Sequence, residues 1–153
     1  MIMKSYASHN QDIATQMDSL TRIVLMNPVL ENVLVKASSL QLEHYYIGAG
    51  CVTQTVWNYL CGRPLNDGIK DLDFVYYDED LSYDKEGEII DRVRAAFGEL
   101  PYQLDVKNQA RVHLWYEDRY GYSIQPYRSL EAAINSWPTT STAIGLRRTE
   151  DGT

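Results

Sequence analysis

The chain has 153 residues, 44% of them hydrophobic, a formal charge of −7 and an isoelectric point near 4.9. A domain of this size buries roughly 68 to 70% of its unfolded surface, so a single domain over residues 1–153 can carry its own core. The acidic balance argues against an extended grip on DNA or RNA, and no apolar run reaches the length of a membrane span.

In chain order, Met1 to Ile13 is polar and lacks the apolar heart of a secretory leader, which predicts a cytoplasmic protein with reduced thiols. Ile13, Met17, Leu20 and Val24 recur at helical spacing. Asn27-Pro28 then supplies an N-cap and first position for a second helix, running to about Lys36. Residues 1–40 therefore read as a helical N-terminal cover for a sheet. After a strand, Gly48-Ala49-Gly50-Cys51 opens a helix at Gly50 or Cys51, on which Val52, Val56, Tyr59 and Leu60 share a face. Asp71 to Tyr77 alternates as a strand, with Leu72, Phe74 and Tyr76 on one side and Asp71, Asp73, Val75 and Tyr77 on the other. Asp78 to Gly87 reads as an acidic, solvated connection. From Glu86 a helix follows, carrying Ile89, Ile90, Val93, Ala96 and Phe97 on one face and ended by Gly98.

Tyr102, Leu104 and Val106 alternate with Gln103, Asp105 and Lys107 in a further strand. Val112, Trp115, Tyr116 and Arg119 fit a helical face, although the aromatic content also suits a strand; a second helix and a strand from Ala143 to Arg147 complete the order. Asp151-Gly152 is a hairpin-turn signal with no returning strand behind it. The expectation is a truncated C-terminal end, or an edge that pairs elsewhere, as in a homodimer. Cys51 and Cys61 lie about 15 Å apart along one helix, too far to bridge. The sum is an α+β fold, a mixed β-sheet flanked by helices.

Three carboxylates stand out. Asp71 and Asp73 project side by side from one strand face, where a Mg²⁺ or Mn²⁺ ion relieves their repulsion and leaves room for phosphate oxygens. An isolated Asp-x-Asp is also an ordinary solvated strand end; the glycine turn ahead of it favours the metal reading. Asp105 can face the same side, as a ligand of a second metal or as acceptor of a proton from an attacking hydroxyl, although alone it reads as a surface acid. Gly48, Gly50 and Cys51 open a helix whose unpaired N–H groups suit a triphosphate. Arg111 is a candidate for a triphosphate or an acidic acceptor. His113 reads more readily as structural than as a proton carrier, and Tyr122 or Tyr127 can stack on a base.

Ala49-Gly50-Cys51-Val52, Leu60-Cys61-Gly62-Arg63-Pro64 and Lys70-Asp71-Leu72-Asp73-Phe74 resemble the signature of the polymerase-beta-like nucleotidyltransferase superfamily, in its CCA-adding and poly(A) polymerase branch. Asn108 to Tyr116 and Trp137-Pro138-Thr139-Thr140 are similar to a small stand-alone bacterial group of nucleotidyltransferase family proteins. The resemblance implies a polymerase-beta-like nucleotidyltransferase fold and two-metal transfer of a nucleoside monophosphate from an NTP to a small-molecule or protein acceptor. It places Asp71 and Asp73 at the metals, Asp105 as third carboxylate, and Gly50 with Cys51 at the phosphates. Where the CCA-adding pattern has Arg-Asp, this chain has Thr53-Gln54, which removes a guanidinium. That departure keeps open an alternative, a catalytically weak or inactive nucleotide-binding or partner-binding module.

Overall fold

A computed structural model of the protein describes residues 10–153. Part of the polar start expected over Met1 to Ile13, and of the cover expected over 1–40, lies outside those residues. Helices α1 (Ile13–Leu25) and α2 (Pro28–Ser38) are capped by Asp12 and Asn27, whose side chains accept from the N–H groups of Thr15 and Val29. Asn27 is fully buried, and its amide also donates to Thr55 Oγ1 at 3.1 Å and to the Tyr102 hydroxyl at 3.3 Å. One residue thus caps a helix and ties it to two later segments.

The sheet has four strands, β1 (Tyr45–Gly48), β2 (Asp71–Tyr76), β3 (Gln103–Asn108) and β4 (Gly145–Leu146), in the order β3-β2-β1-β4. β2 and β3 are parallel, while β1 runs antiparallel to both β2 and β4. Helix α3 (Gly50–Leu60) joins β1 to β2, and α4 (Tyr83–Phe97) makes the crossover from β2 to β3. Helices α5 (Val112–Tyr120) and α6 (Leu130–Asn135) follow β3.

Register separates the two sheet faces. Ile47, Phe74 and Val106 align across three strands and bury against Val24, Leu30, Val33, Ile89, Val93 and Phe97. Phe74 stacks on Tyr45 at 5.3 Å between ring centroids and meets the edge of Phe97 at 5.6 Å, so this is an aromatic-centred core. On the opposite face Val75 packs with Leu130 and Ile134 of α6 and with Trp137, a smaller cluster that leaves the aspartate end of the face uncovered. Among the described residues no helix is long and apolar enough to cross a membrane.

Several elements depart from the sequence expectations. Helix α4 begins at Tyr83, inside the segment read as a solvated connection, because Ser82 Oγ accepts from Lys85 N and the acids Asp84 and Glu86 favour a helix N-terminus. Leu60 is 53% exposed, and the buried face of α3 holds Thr55 and Asn58 instead. Those polar groups are satisfied: Thr55 donates to the Cys51 carbonyl, and Asn58 to the Leu65 and Asp67 carbonyls. β4 is shorter than expected, because the Ile144 carbonyl is taken by Ala49 N and the chain leaves the sheet after Leu146. The aromatic segment is helix α5, and both cysteines are free thiols.

Candidate functional site

The site is built where β1 ends. In the sheet register Gly48, Asp73 and Asp105 lie side by side on neighbouring strands, so both carboxylates stand on the uncovered face next to the turn into α3. Asp71 is two residues back along β2, opposite Gln103, and is exposed. Burial pushes the Asp73 carboxyl up to about 6, with the charge of Asp105 and then that of Asp71 adding to the rise while Lys107 opposes it. Lys107 Nζ is 2.7 Å from Asp105 Oδ2.

The turn divides its work among three residues. Gly48 is glycine because a Cβ there would come 2.5 Å from the Ile144 carbonyl oxygen. Ala49 takes φ 61° and ψ −140°, a costly backbone for a residue with a side chain, and its N–H donates to Ile144 O at 3.0 Å. Gly50 has open space where a Cβ would sit and needs no left-handed φ, so the surrounding protein does not account for a glycine at this position. No side chain caps α3. Its first N–H groups therefore remain available beside the carboxylates. The Cys51 thiol turns inward, donates to Gly48 O at 3.2 Å, and is pushed up to about 12 by burial and by the charge of Asp73.

Asp73 and Asp105 floor a cleft of about 520 Å³ together with Lys107 and Gln109. Its wall is aromatic: Trp115, Tyr116 and Tyr120 from α5, Tyr122 and Tyr127 from the following loop, and Trp137. Tyr116 is the hub, with ring centroids 4.5 Å from Tyr120 and 5.3 Å from Tyr122, and its hydroxyl 3.0 Å from that of Tyr122. Gln109 is 95% buried, and among the described residues its side-chain amide has no hydrogen-bond partner.

Arg111, expected at the phosphates, is placed elsewhere. Its guanidinium pairs with Glu86 and donates to Leu81 O at 2.9 Å, tying the segment after β3 to α4, and it does not line the cleft. His113 is also outside the cleft, with Nδ1 buried and unpartnered. Thr53 and Gln54, at the positions of the lost guanidinium, are held internally: Thr53 Oγ1 donates to Ser141 O and Gln54 to Asn58. Lys107, Gln109 and most of the aromatic wall were not among the expected site residues. The alternation that picks out Asp105 carries the signal for Lys107, two residues on along β3, whereas Gln109 lies in the 3-10 turn that follows the strand and has no such signal.

Among the described residues no three Asp, Glu, His or Cys side chains are gathered closely enough to cage a metal ion. The donor set is an open carboxylate pair, all hard oxygen, with a lysine ammonium already against one member. That chemistry fits Mg²⁺ or Mn²⁺ bound by one or two carboxylates and completed by phosphate and water oxygens.

Comparison with known proteins agrees with this geometry. A nucleotidyltransferase family model matches residues 35–153. No curated protein matches the chain. A solved NMR structure described as revealing a CCA-adding enzyme head domain is similar at 26% identity and a TM-score of 0.67, over 88% of this chain and 67% of that one. With its mixed sheet, its glycine turn and its in-register aspartates, the chain belongs to the nucleotidyltransferase family and has the polymerase-beta-like fold.

Proposed function

We propose that the cleft binds a nucleoside triphosphate with Mg²⁺ or Mn²⁺ and transfers the nucleoside monophosphate to a small-molecule or protein acceptor, releasing pyrophosphate. The observation that carries this reading is the alignment of Gly48, Asp73 and Asp105, which sets two carboxylates beside an uncapped helix start. The N–H groups of Gly50 and Cys51 orient phosphate oxygens, and the bare Cα of Gly50 lets them approach. Asp73 and Asp105, with Asp71 two residues back along β2, would hold the metal, which would supply neutralisation of phosphoryl charge in the transition state. The Asp105 oxygen not given to the metal takes the proton of the attacking hydroxyl or amine as the new bond to the α phosphorus forms and the bond to the pyrophosphate oxygen breaks. The aromatic wall stacks the base, and the unpaired amide of Gln109 supplies it a hydrogen bond. The net charge of −7 favours a small acceptor over a polynucleotide.

The test is titration of the protein with each nucleoside triphosphate, with metal and with chelator, followed by pyrophosphate release over a panel of acceptors. Metal-dependent binding with turnover supports transfer. Equal affinity in chelator overturns the metal role. The internal engagement of Thr53 favours one second reading, a binding module, which metal-dependent binding without turnover would establish.

A further inference from the structure

Strand β3 directs a lysine onto the same face as the carboxylates. Lys107 sits beside Val75 in register, two residues past Asp105, and its side chain is 39% exposed. Its ammonium returns along the strand to Asp105 Oδ2 at 2.7 Å, and lies 6.0 Å from the centroid of the Trp115 ring.

Among the described residues no other lysine or arginine lines the cleft. Arg111 is committed to Glu86. A triphosphate entering here has one mobile side-chain cation to meet. That cation occupies Asp105, one of the two carboxylates offered to a divalent ion, and two cations on one carboxylate pair repel. The ammonium and a divalent ion therefore exclude each other at Asp105, while the lysine stem has the cleft interior within reach.

Resting on the nucleotide reading above, we propose that Lys107 is a displaceable counter-ion. It neutralises Asp105 beside Asp73 in the metal-free protein, yields them to a divalent cation, and then turns its ammonium to the phosphate oxygens of the nucleotide.

The signature is a pair of opposite signs. Mn²⁺ alone, followed by the spin signal of the free ion, is expected to bind Lys107→Met on the order of tenfold more tightly than the wild-type chain, because the competing charge is gone. At saturating Mn²⁺, the same variant is expected to bind nucleoside triphosphates on the order of tenfold more weakly, having lost a charged phosphate contact. Lys107→Gln should match it, and Lys107→Arg should restore nucleotide affinity. A purely structural lysine would move both affinities downward together. Unchanged or weaker Mn²⁺ binding in both uncharged variants overturns the proposal, as does unchanged nucleotide affinity. Loss of the fold in both does too, because a counter-ion that can be displaced cannot be essential to folding. If the wild-type chain binds no triphosphate at any Mn²⁺ concentration, the nucleotide reading fails and takes the phosphate role with it. The counter-ion role is decided separately by the Mn²⁺ titration.

Discussion

Helices α3 and α4 both follow a strand of the same sheet, yet they begin in opposite ways. Helix α4 is closed: Ser82 caps it, Asp84 and Glu86 lie in its first turn, and Asp80 accepts from Ser82 N at 3.0 Å. Helix α3 has no side-chain cap, no acid in its first turn and a strained alanine before it. Among the described helices α1, α2, α4 and α6 carry side-chain caps, and α5 continues a short 3-10 turn that Asn108 caps. The bare start of α3, beside two aspartates, is the feature on which the proposed phosphate contact rests. Stability is spent at α3 and recovered at α4.

The sharpest way to break the comparison is at Asp73. Asp73→Asn is expected to lower pyrophosphate release on the order of a thousandfold, since it weakens charge stabilisation in the transition state. The same variant should be more stable than the wild-type chain. The native carboxyl binds its proton more tightly than the unfolded chain does, so wild-type stability falls as pH rises from about 4 to about 6 and stays low above that. Thermal melts should show Asp73→Asn ahead by on the order of 1 to 2 kcal/mol at pH 7.5, with the advantage gone near pH 4. A variant that melts lower at both values would remove the strain at this site.

At the closed end, Arg111→Ala leaves Glu86 largely buried without its guanidinium and should cost about 3 kcal/mol in urea unfolding, with nucleotide affinity unchanged in the folded fraction. Selective loss of nucleotide binding with normal stability would return Arg111 to the phosphates. The two glycines sharpen the same contrast. Gly48→Ala drives a Cβ against the Ile144 carbonyl and should destabilise by about 2 kcal/mol, whereas Gly50→Ala should leave stability level or slightly higher while weakening nucleotide binding. Equal melting losses in both would mean that Gly50 also serves the fold. The smallest effect is Ser82→Ala, a cap loss of about 1 kcal/mol with no change in nucleotide affinity.

The order of elements was legible because each carries a local signal: the Asn27-Pro28 start of α2, the Gly98 stop of α4, the alternation in β2 and β3. The start of α4 was obscured by acids that read equally as solvated loop and as first-turn residues. The polar inner face of α3 could not be read from periodicity, since Thr55 and Asn58 are buried by partners in α2 and in the loop before β2. At the site, period 2 places Asp73 and Asp105 on definite faces, but the register that makes them neighbours is tertiary. The pairing of Arg111 was hidden for a similar reason. Its partner Glu86 lies 25 residues away, and an arginine's charge alone does not say which carboxylate claims it.

The hold of the 141–148 segment on the glycine turn has a consequence for synthesis. Ile144 fixes Ala49, Ser141 accepts from Thr53, and Tyr45 reaches Arg148, the last two contacts spanning 88 and 103 positions of sequence. A nascent chain can pair β1, β2 and β3 while those late residues are still inside the ribosome, but its glycine turn is not yet pinned. The carboxylates therefore stand side by side on the emerging polypeptide before the turn beside them is held. The turn is thus fixed in one late step, by contacts of high sequence separation.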